Sequence, residues 1–148
     1  MNWSGRNVLI TGGAGHIGSH LVAELVKLGA NVRIADNLWR GKKEYLFDKN
    51  NKPIIDFGKQ FLEVDLREMK NCEKVVSGMD TIFHLADVVA GIDFIFGNEA
   101  FVYRSNILIN SNMFEAAHKA KLEKFAYVGA ACAYPLEKQN NPDYPLFN

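Results

Sequence analysis

Several features are scarce or missing in this 148-residue sequence, and each absence excludes a class of protein. The two cysteines, Cys72 and Cys132, are too few for a disulfide framework, and no signal-peptide pattern opens the chain, so we expect reduced thiols and a cytoplasmic protein. No apolar run is long enough to cross a bilayer. The 17 basic residues equal the 17 acidic ones, which gives no electrostatic reason to expect nucleic acid or a membrane as partner.

Metal-ligand spacing is also missing, because the four histidines and two cysteines form no pattern typical of a metal site. The composition is instead that of a packed protein, with 48% apolar and 23% charged residues. Length and composition together predict one domain over residues 1–148.

The strongest pattern lies in residues 7–36. A short apolar run is followed by a glycine-rich turn, an amphipathic run and a second apolar run that ends at Asp36. In a strand, turn, helix and strand of this order, a pyrophosphate binds N–H groups at the helix start and the carboxylate accepts from ribose hydroxyls. The pattern predicts a dinucleotide site; the alternative is a glycine turn that only packs the helix against the strand.

Strands and helices continue to alternate along the chain, with a polar surface excursion at 37–58 that has one short helix near 44–47. Further strands are expected at 60–64, 81–85 and 125–128, helices at 68–77 and 98–120, and a loop at 86–97. This alternation predicts an α/β fold, a parallel Rossmann-type sheet with helices on both faces. Right-handed crossovers give the strand order 3-2-1-4-5, with the sheet incomplete at its C-terminal side.

Residues with chemical potential follow the carboxyl ends of these predicted strands. They are residues 12–18, Asp36, Asp65, 85–87 and 129–132. Because a parallel sheet places all such ends on one rim, we expect them around a crevice at strands 1 and 4, where the strand order reverses.

Several motifs in this order resemble a known family. They are TGGAGHIG (11–18), DNLWRG (36–41), DLR (65–67), FHLAD (83–87), Asn106 with EAA (115–117), and YVGAACAYP (127–135). The set resembles the nucleotide-sugar epimerase/dehydratase branch of the extended short-chain dehydrogenase/reductases, most closely the GDP-mannose 3,5-epimerase and GDP-fucose synthase group. The resemblance implies NAD as cofactor, a nucleotide-sugar substrate processed through a keto intermediate by transient hydride transfer, and a homodimer through helix 98–120.

The resemblance also implies roles for individual residues. The pyrophosphate would lie against Gly12, Gly15, His16 and Ile17, with His16 standing where the family usually has Phe. The adenosine ribose would be held by Asp36 and Asn37, adenine would be flanked by Asp65 and Leu66, and the nicotinamide-side ribose would be lined by Leu85, Ala86 and Asp87. Asn106 would reach the cofactor from the long helix.

The choice between NAD and NADP depends on two residues. Asp36 favours NAD, because a 2′-phosphate would face a carboxylate. Arg40 is either an acceptor for that phosphate or a solvated loop charge. We predict NAD.

The catalytic part of the pattern departs from the family. The family uses a Tyr-x-x-x-Lys pair, whose lysine lowers the tyrosine pKa, and a Ser or Thr after strand five. Ala130 stands at the Ser/Thr position, and we interpret Tyr45…Lys49 and Tyr134…Lys138 as chance matches. We expect the true pair and the substrate lobe to be absent from this chain.

Cys132 is the remaining catalytic candidate. In cysteine-bearing relatives this position acts as acid/base in epimerisation, and the alternative is a small buried thiol. His84 and Cys72 are expected in the core.

Two functions therefore stand. The chain is the NAD-binding part of a nucleotide-sugar epimerase/dehydratase and inactive alone, or it is a non-catalytic dinucleotide-binding module or a degenerate subunit.

Overall fold

The computed structural model describes residues 2–129, so Ala130, Cys132 and Tyr134…Lys138 lie outside the described residues. Within them, five strands form one parallel sheet in the order β3-β2-β1-β4-β5, which confirms the predicted order. The strands are β1 (Asn7–Thr11), β2 (Asn31–Asp36), β3 (Phe61–Glu63), β4 (Thr81–His84) and β5 (Lys124–Tyr127). The helices are α1 (His16–Lys27), α2 (Phe57–Gln60), α3 (Met69–Val76), α4 (Ile92–Phe96) and α5 (Glu99–Lys119), with a 3₁₀ helix at Lys43–Leu46.

Strand β1 is the centre of the fold. Its residues Val8, Leu9 and Ile10 have no solvent exposure, because consecutive strand side chains point to opposite faces and helices cover both. Leu9 packs in the cluster formed with α3 and α5, whereas Val8 and Ile10 pack in the cluster formed with α1. The carboxyl end of β1 therefore opens at the middle of the sheet, between β2 and β4.

The segment after β2 differs from the expected surface excursion. The short helix near 44–47 is confirmed as the 3₁₀ turn, but Leu46 and Ile55 are buried in the α1-side core, at 0% and 5% exposure. A bridge between Phe47 and Pro53 closes the segment on itself. Two apolar anchors separated by polar residues give no period, so the pattern could not predict this burial.

Two further boundaries are corrected. The expected strand at 60–64 begins one residue later, since Asp56 accepts the Gly58 N–H and starts α2, which runs through Gln60. The expected loop at 86–97 contains α4, which is too short to show a helical period.

Helix α5 is confirmed, but only some of its apolar residues are buried. Met113 and Ala117 are buried, whereas Phe101, Ile107 and Phe114 are 41%, 51% and 46% exposed. The buried positions are Ser105, Ile109, Met113, Ala116 and Ala117. Apolar residues occur on more than one face of this helix, so periodicity alone could not choose between faces.

Candidate functional site

The glycine-rich turn brings α1 directly onto the ends of β1 and β2. Gly12 has φ +68°, a conformation that other residues rarely adopt, and its N–H donates to the Ala35 carbonyl at 2.8 Å. A Cβ on Gly18 would lie 2.2 Å from the Gly12 carbonyl oxygen, and a Cβ on Gly13 would lie 2.7 Å from Ile34. These glycines are therefore needed for the close approach of the helix N-terminus to the crevice.

The start of α1 presents unused donors. No hydrogen bond among residues 2–129 takes up the N–H groups of His16, Ile17 or Gly18, and Gly15 provides no side-chain cap. These are the N–H groups that a helix cannot satisfy internally, at the positive end of its dipole. With no side chain on Gly15, the turn forms a cradle that suits a phosphate group.

Asp36 is fixed at the end of β2. It is 8% exposed, Oδ2 accepts the Ala14 N–H at 3.0 Å, and Oδ1 accepts the Leu38 N–H at 2.8 Å. Each carboxylate oxygen can accept more than one hydrogen bond, so capacity remains for ribose hydroxyls. Asn37 beside it accepts the Trp39 N–H at 3.0 Å, which shapes the following turn.

Gly41 is a site residue that the sequence reasoning missed. A Cβ there would lie 2.8 Å from Asp36 Oδ1 and 3.0 Å from the Ala14 Cβ. Any side chain at this position would therefore displace the carboxylate. A signal existed, because Gly41 closes the DNLWRG motif, but the spacing alone gave it no partner.

Asp65 lies after β3 and is held by Arg67. The Arg67 Nε lies 3.0 Å from each Asp65 carboxylate oxygen, and the Arg67 backbone N–H donates to Oδ1 at 2.9 Å. These hydrogen bonds hold the pKa of the Asp65 carboxyl below its ordinary value. Leu66 next to it is buried at 4% exposure. The carboxylate is thus held ionised and in place at the Asp36 end of the crevice.

His84, at the end of β4, is a core residue as predicted. It is 2% exposed, its Nδ1 lies 2.7 Å from Thr11 Oγ1, and its Nε2 lies 2.9 Å from Asn110 Oδ1. Thr11 Oγ1 accepts the N–H groups of Leu85 and Ala86, both at 3.1 Å, so its single proton donates to His84 Nδ1. His84 is then neutral with its proton on Nε2, and burial lowers its pKa.

The segment after β4 forms the opposite wall. Asn106 Oδ1 accepts the Val88 N–H at 2.7 Å, and Asn106 Nδ2 donates to the Val88 carbonyl at 3.3 Å. Asn106 therefore anchors this wall and does not itself line the crevice, so its contact with a cofactor stays a prediction. Desolvation by the surrounding walls raises the pKa of the neighbouring Asp87 carboxyl, although the residue is open to solvent.

The crevice joins most of the predicted site residues. One part is lined by Gly12, Gly15, Asp36, Asn37, Asp65, Leu66, Leu85, Ala86 and Asp87. The adjoining part is lined by Gly12, Gly15, His16, Ile17, Leu85, Ala86 and Asp87, and extends to Tyr127 and Gly129. Arg40 lines both parts. The predicted catalytic Cys132 lies outside the described residues.

Cys72 is also a core residue as predicted, fully buried, with burial raising the pKa of its thiol to about 12. Among residues 2–129, no three His, Cys, Asp or Glu side chains are placed to hold a metal ion. In the same range, none of the helices combines the length and hydrophobicity that a bilayer crossing requires.

The comparisons with known proteins agree with this geometry. The model of the NAD dependent epimerase/dehydratase family matches residues 8–146. GDP-mannose 3,5-epimerase of Arabidopsis thaliana is 37% identical over 139 residues, which cover 93% of this chain and 34% of that protein.

Solved structures show the same fold. Epimerase Mth375 of Methanothermobacter thermautotrophicus has a TM-score of 0.77 and 30% identity, over 92% of this chain and 39% of that one. UDP-glucose 4-epimerase of Thermus thermophilus, solved in complex with NAD, has a TM-score of 0.67 and 31% identity, over 80% of this chain and 36% of that one. The chain thus spans only about a third of the curated relative's length.

Proposed function

Because the chain belongs to the NAD dependent epimerase/dehydratase family, we propose that it is the NAD-binding part of a nucleotide-sugar epimerase/dehydratase. The observation that carries the proposal is one crevice with unused N–H groups at the start of α1 and the fixed Asp36 carboxylate at the end of β2. N–H donors suited to a phosphate and a carboxylate that can accept from hydroxyl groups lie at neighbouring strand ends. They match the pyrophosphate and the ribose of a dinucleotide.

Different residues of the crevice would bind different parts of the cofactor. The N–H groups of α1 would hold the pyrophosphate, and Asp36 with Asn37 would hold the adenosine ribose. Asp65 and Leu66 would flank adenine, and residues 85–87 would line the nicotinamide-side ribose. NAD, when bound, supplies reversible hydride transfer, through which the parent enzyme would form a keto intermediate of a nucleotide sugar.

The site favours NAD over NADP. A 2′-phosphate would approach the Asp36 carboxylate, which is fixed by two backbone donors and cannot turn away. Arg40, the residue that could neutralise such a phosphate, donates instead to the Val89 carbonyl on the other wall. Like-charge repulsion at Asp36 then decides the preference.

We propose that the 148-residue chain does not turn over substrate by itself. Ala130 offers no hydroxyl where the family has Ser or Thr, and the chain spans about a third of its relative's length. Ala130 equally favours the alternative, a dinucleotide-binding module without catalysis. A natural reading frame that continues into a Tyr-x-x-x-Lys pair supports the enzyme; one that ends at residue 148 supports the module.

Calorimetric titration with NAD and with NADP tests the cofactor site. Binding of NAD with weaker binding of NADP is expected, and Trp39, which lines the crevice and is 45% exposed, should change its fluorescence. Preference for NADP would contradict the Asp36 argument.

An activity assay of the same chain with GDP- and UDP-sugars should give no turnover, and detectable turnover would contradict the proposed inactivity.

We also propose the homodimer through helix 98–120 as the arrangement of the parent protein. Phe101, Tyr103 and Ile107 of α5 expose 41%, 71% and 51% of their surface, and Ile92 and Phe96 of α4 expose 64% and 68%. Tyr103 and Ile107 are four residues apart and therefore share one face of α5, where exposed apolar side chains are typical of an interface. Light scattering after size exclusion tests it, with a dimer expected for the chain and a monomer for Ile107→Glu.

A further inference from the structure

The two walls of the crevice touch each other across its opening. Segment 37–41 follows β2 and segment 86–97 follows β4, so they lie on opposite sides. Arg40 Nη1 donates to the Val89 carbonyl at 2.5 Å, and the rings of Trp39 and Phe94 lie 5.7 Å apart. These two contacts together are called the strap.

Each side of the strap is anchored at its base. On the β4 side, the Asn106 carboxamide binds both backbone groups of Val88. On the β2 side, the Lys42 N–H donates to the Ala14 carbonyl at 2.9 Å. These hydrogen bonds fix the base of each wall. The strap contacts themselves are made by the side chains of Arg40, Trp39 and Phe94, which can move apart.

The residues that form the strap contacts are exposed to solvent. Arg40 forms no ion pair with any carboxylate among residues 2–129, so the Val89 carbonyl is its hydrogen-bond partner there. Trp39 is 45% exposed and Phe94 is 37% exposed. A hydrogen bond of this kind contributes about 1 kcal/mol net, so it can break and re-form, as expected of a segment that opens and closes.

The strap lies where a long ligand must pass. Arg40 lines both parts of the crevice, the part with Asp36 and the part with His16 and Gly129. A dinucleotide that occupies both parts would lie beneath it. We propose that the Arg40–Val89 and Trp39–Phe94 contacts form a strap that must open for the dinucleotide to enter or leave, and that they thereby set the rate of cofactor exchange. The strap rests on the proposed NAD site.

The strap has a kinetic signature. If it closes the crevice with and without cofactor, its removal raises the association and dissociation rates together, and the Kd stays within about twofold. We expect both rates to rise on the order of fivefold, the effect of losing one hydrogen bond. If Arg40 were instead a direct ligand of the pyrophosphate, its removal would raise the dissociation rate alone and weaken the Kd.

Stopped-flow mixing with NADH, followed by energy transfer from Trp39, measures both rates. The variants are Arg40→Ala and Phe94→Ala, with Arg104→Ala as the matched control, because Arg104 is an exposed arginine of α5 outside the crevice. Arg40→Ala and Phe94→Ala should speed both rates, and R104A should leave them unchanged. Phe94→Ala carries the test if Arg40→Ala does not fold.

Unchanged rates in both variants, or a weakened Kd with an unchanged association rate, would overturn the strap. These outcomes differ from a failure of the proposed function, in which the wild-type chain would not bind NADH at all and neither proposal would hold.

Discussion

The two halves of the sheet, on either side of the central strand β1, differ in how firmly their residues are held. On the β2 side, the residues that shape the crevice are held by backbone groups: Gly12 by Ala35, and Asp36 by Ala14 and Leu38. On the far side, β5 pairs with β4, yet Tyr127 and Val128 expose 49% and 61% of their surface.

The difference arises because the two sides depend on residues at different distances along the sequence. The β2 side is formed by one βαβ unit whose parts are close in sequence, so a short motif fixes its geometry. The β5 side depends on what covers a strand at the sheet edge, and such cover comes from elsewhere in a protein. Binding should therefore be sensitive to changes near β1 and β2 and tolerant of changes on β5.

The largest expected effect is that of Gly18→Ala. The new Cβ would lie 2.2 Å from the Gly12 carbonyl oxygen, a backbone atom that cannot move without lifting α1 from the sheet. We expect about 3 kcal/mol of destabilisation, at the upper end for overpacking. NAD binding should be lost in calorimetric titration.

The matched control is Gly91→Ala, because a Cβ at Gly91 meets nothing within 4 Å. Urea unfolding should show Gly91→Ala close to the wild type. Equal stability of G18A and G91A would contradict the tight packing of the turn.

The second prediction concerns Asp36→Asn. Both carboxylate oxygens accept backbone N–H groups, so the new amide would place a donor against a donor and lose the charge that repels a 2′-phosphate. NAD affinity should fall by about 10- to 100-fold, the effect of losing hydrogen bonds to a charged group. The preference for NAD over NADP should shrink.

Titrations of D36N with both cofactors measure these changes, and Glu99→Gln, an exposed residue in the first turn of α5, is the charge-matched control. An unchanged NAD to NADP ratio in D36N would show that another residue sets the preference.

The third prediction uses the neutral, buried His84. Burial lowers its pKa in the folded protein, whereas the unfolded chain keeps an ordinary value near 6.5. Its contribution to stability is complete above about pH 6.5 and is lost as the pH falls below that value, by at most about 1.4 kcal/mol per pH unit. Urea unfolding of the wild type between pH 7.5 and 5 should show this loss.

The variant His84→Gln should flatten that pH dependence, and His118→Gln should keep it, because His118 is exposed on α5. His84 faces Thr11 from β1, Asn110 from α5 and Tyr127 from β5, none of which is charged near neutral pH. An equal pH slope in the wild type and H84Q would contradict the neutral tautomer.

The sequence alone predicted the fold and most of the crevice because both arise from local order. Strand, turn and helix alternate in short units, and the acids at strand ends follow from that alternation, as Asp36 and Asp65 show. Leu46 and Ile55 were missed because their burial depends on a segment folding back over α1 without a period. The hydrogen bonds between the Asn106 carboxamide and the backbone of Val88 were also missed, because no spacing in the sequence encodes that pairing, and the contact of Asn106 with a cofactor stays a prediction.

The smallest expected effect is that of Tyr127→Ala on β5. Tyr127 is half exposed, and its ring contacts are with Phe114 and His84. We expect a loss of about 1 kcal/mol, near the range for surface changes, against about 3 kcal/mol for Ile34→Ala on β2, where the side chain is fully buried. Urea unfolding of the two variants in parallel measures the contrast. Equal losses would mean that the β5 side is as firmly built as the β2 side, and the local origin of the crevice would no longer explain its sensitivity.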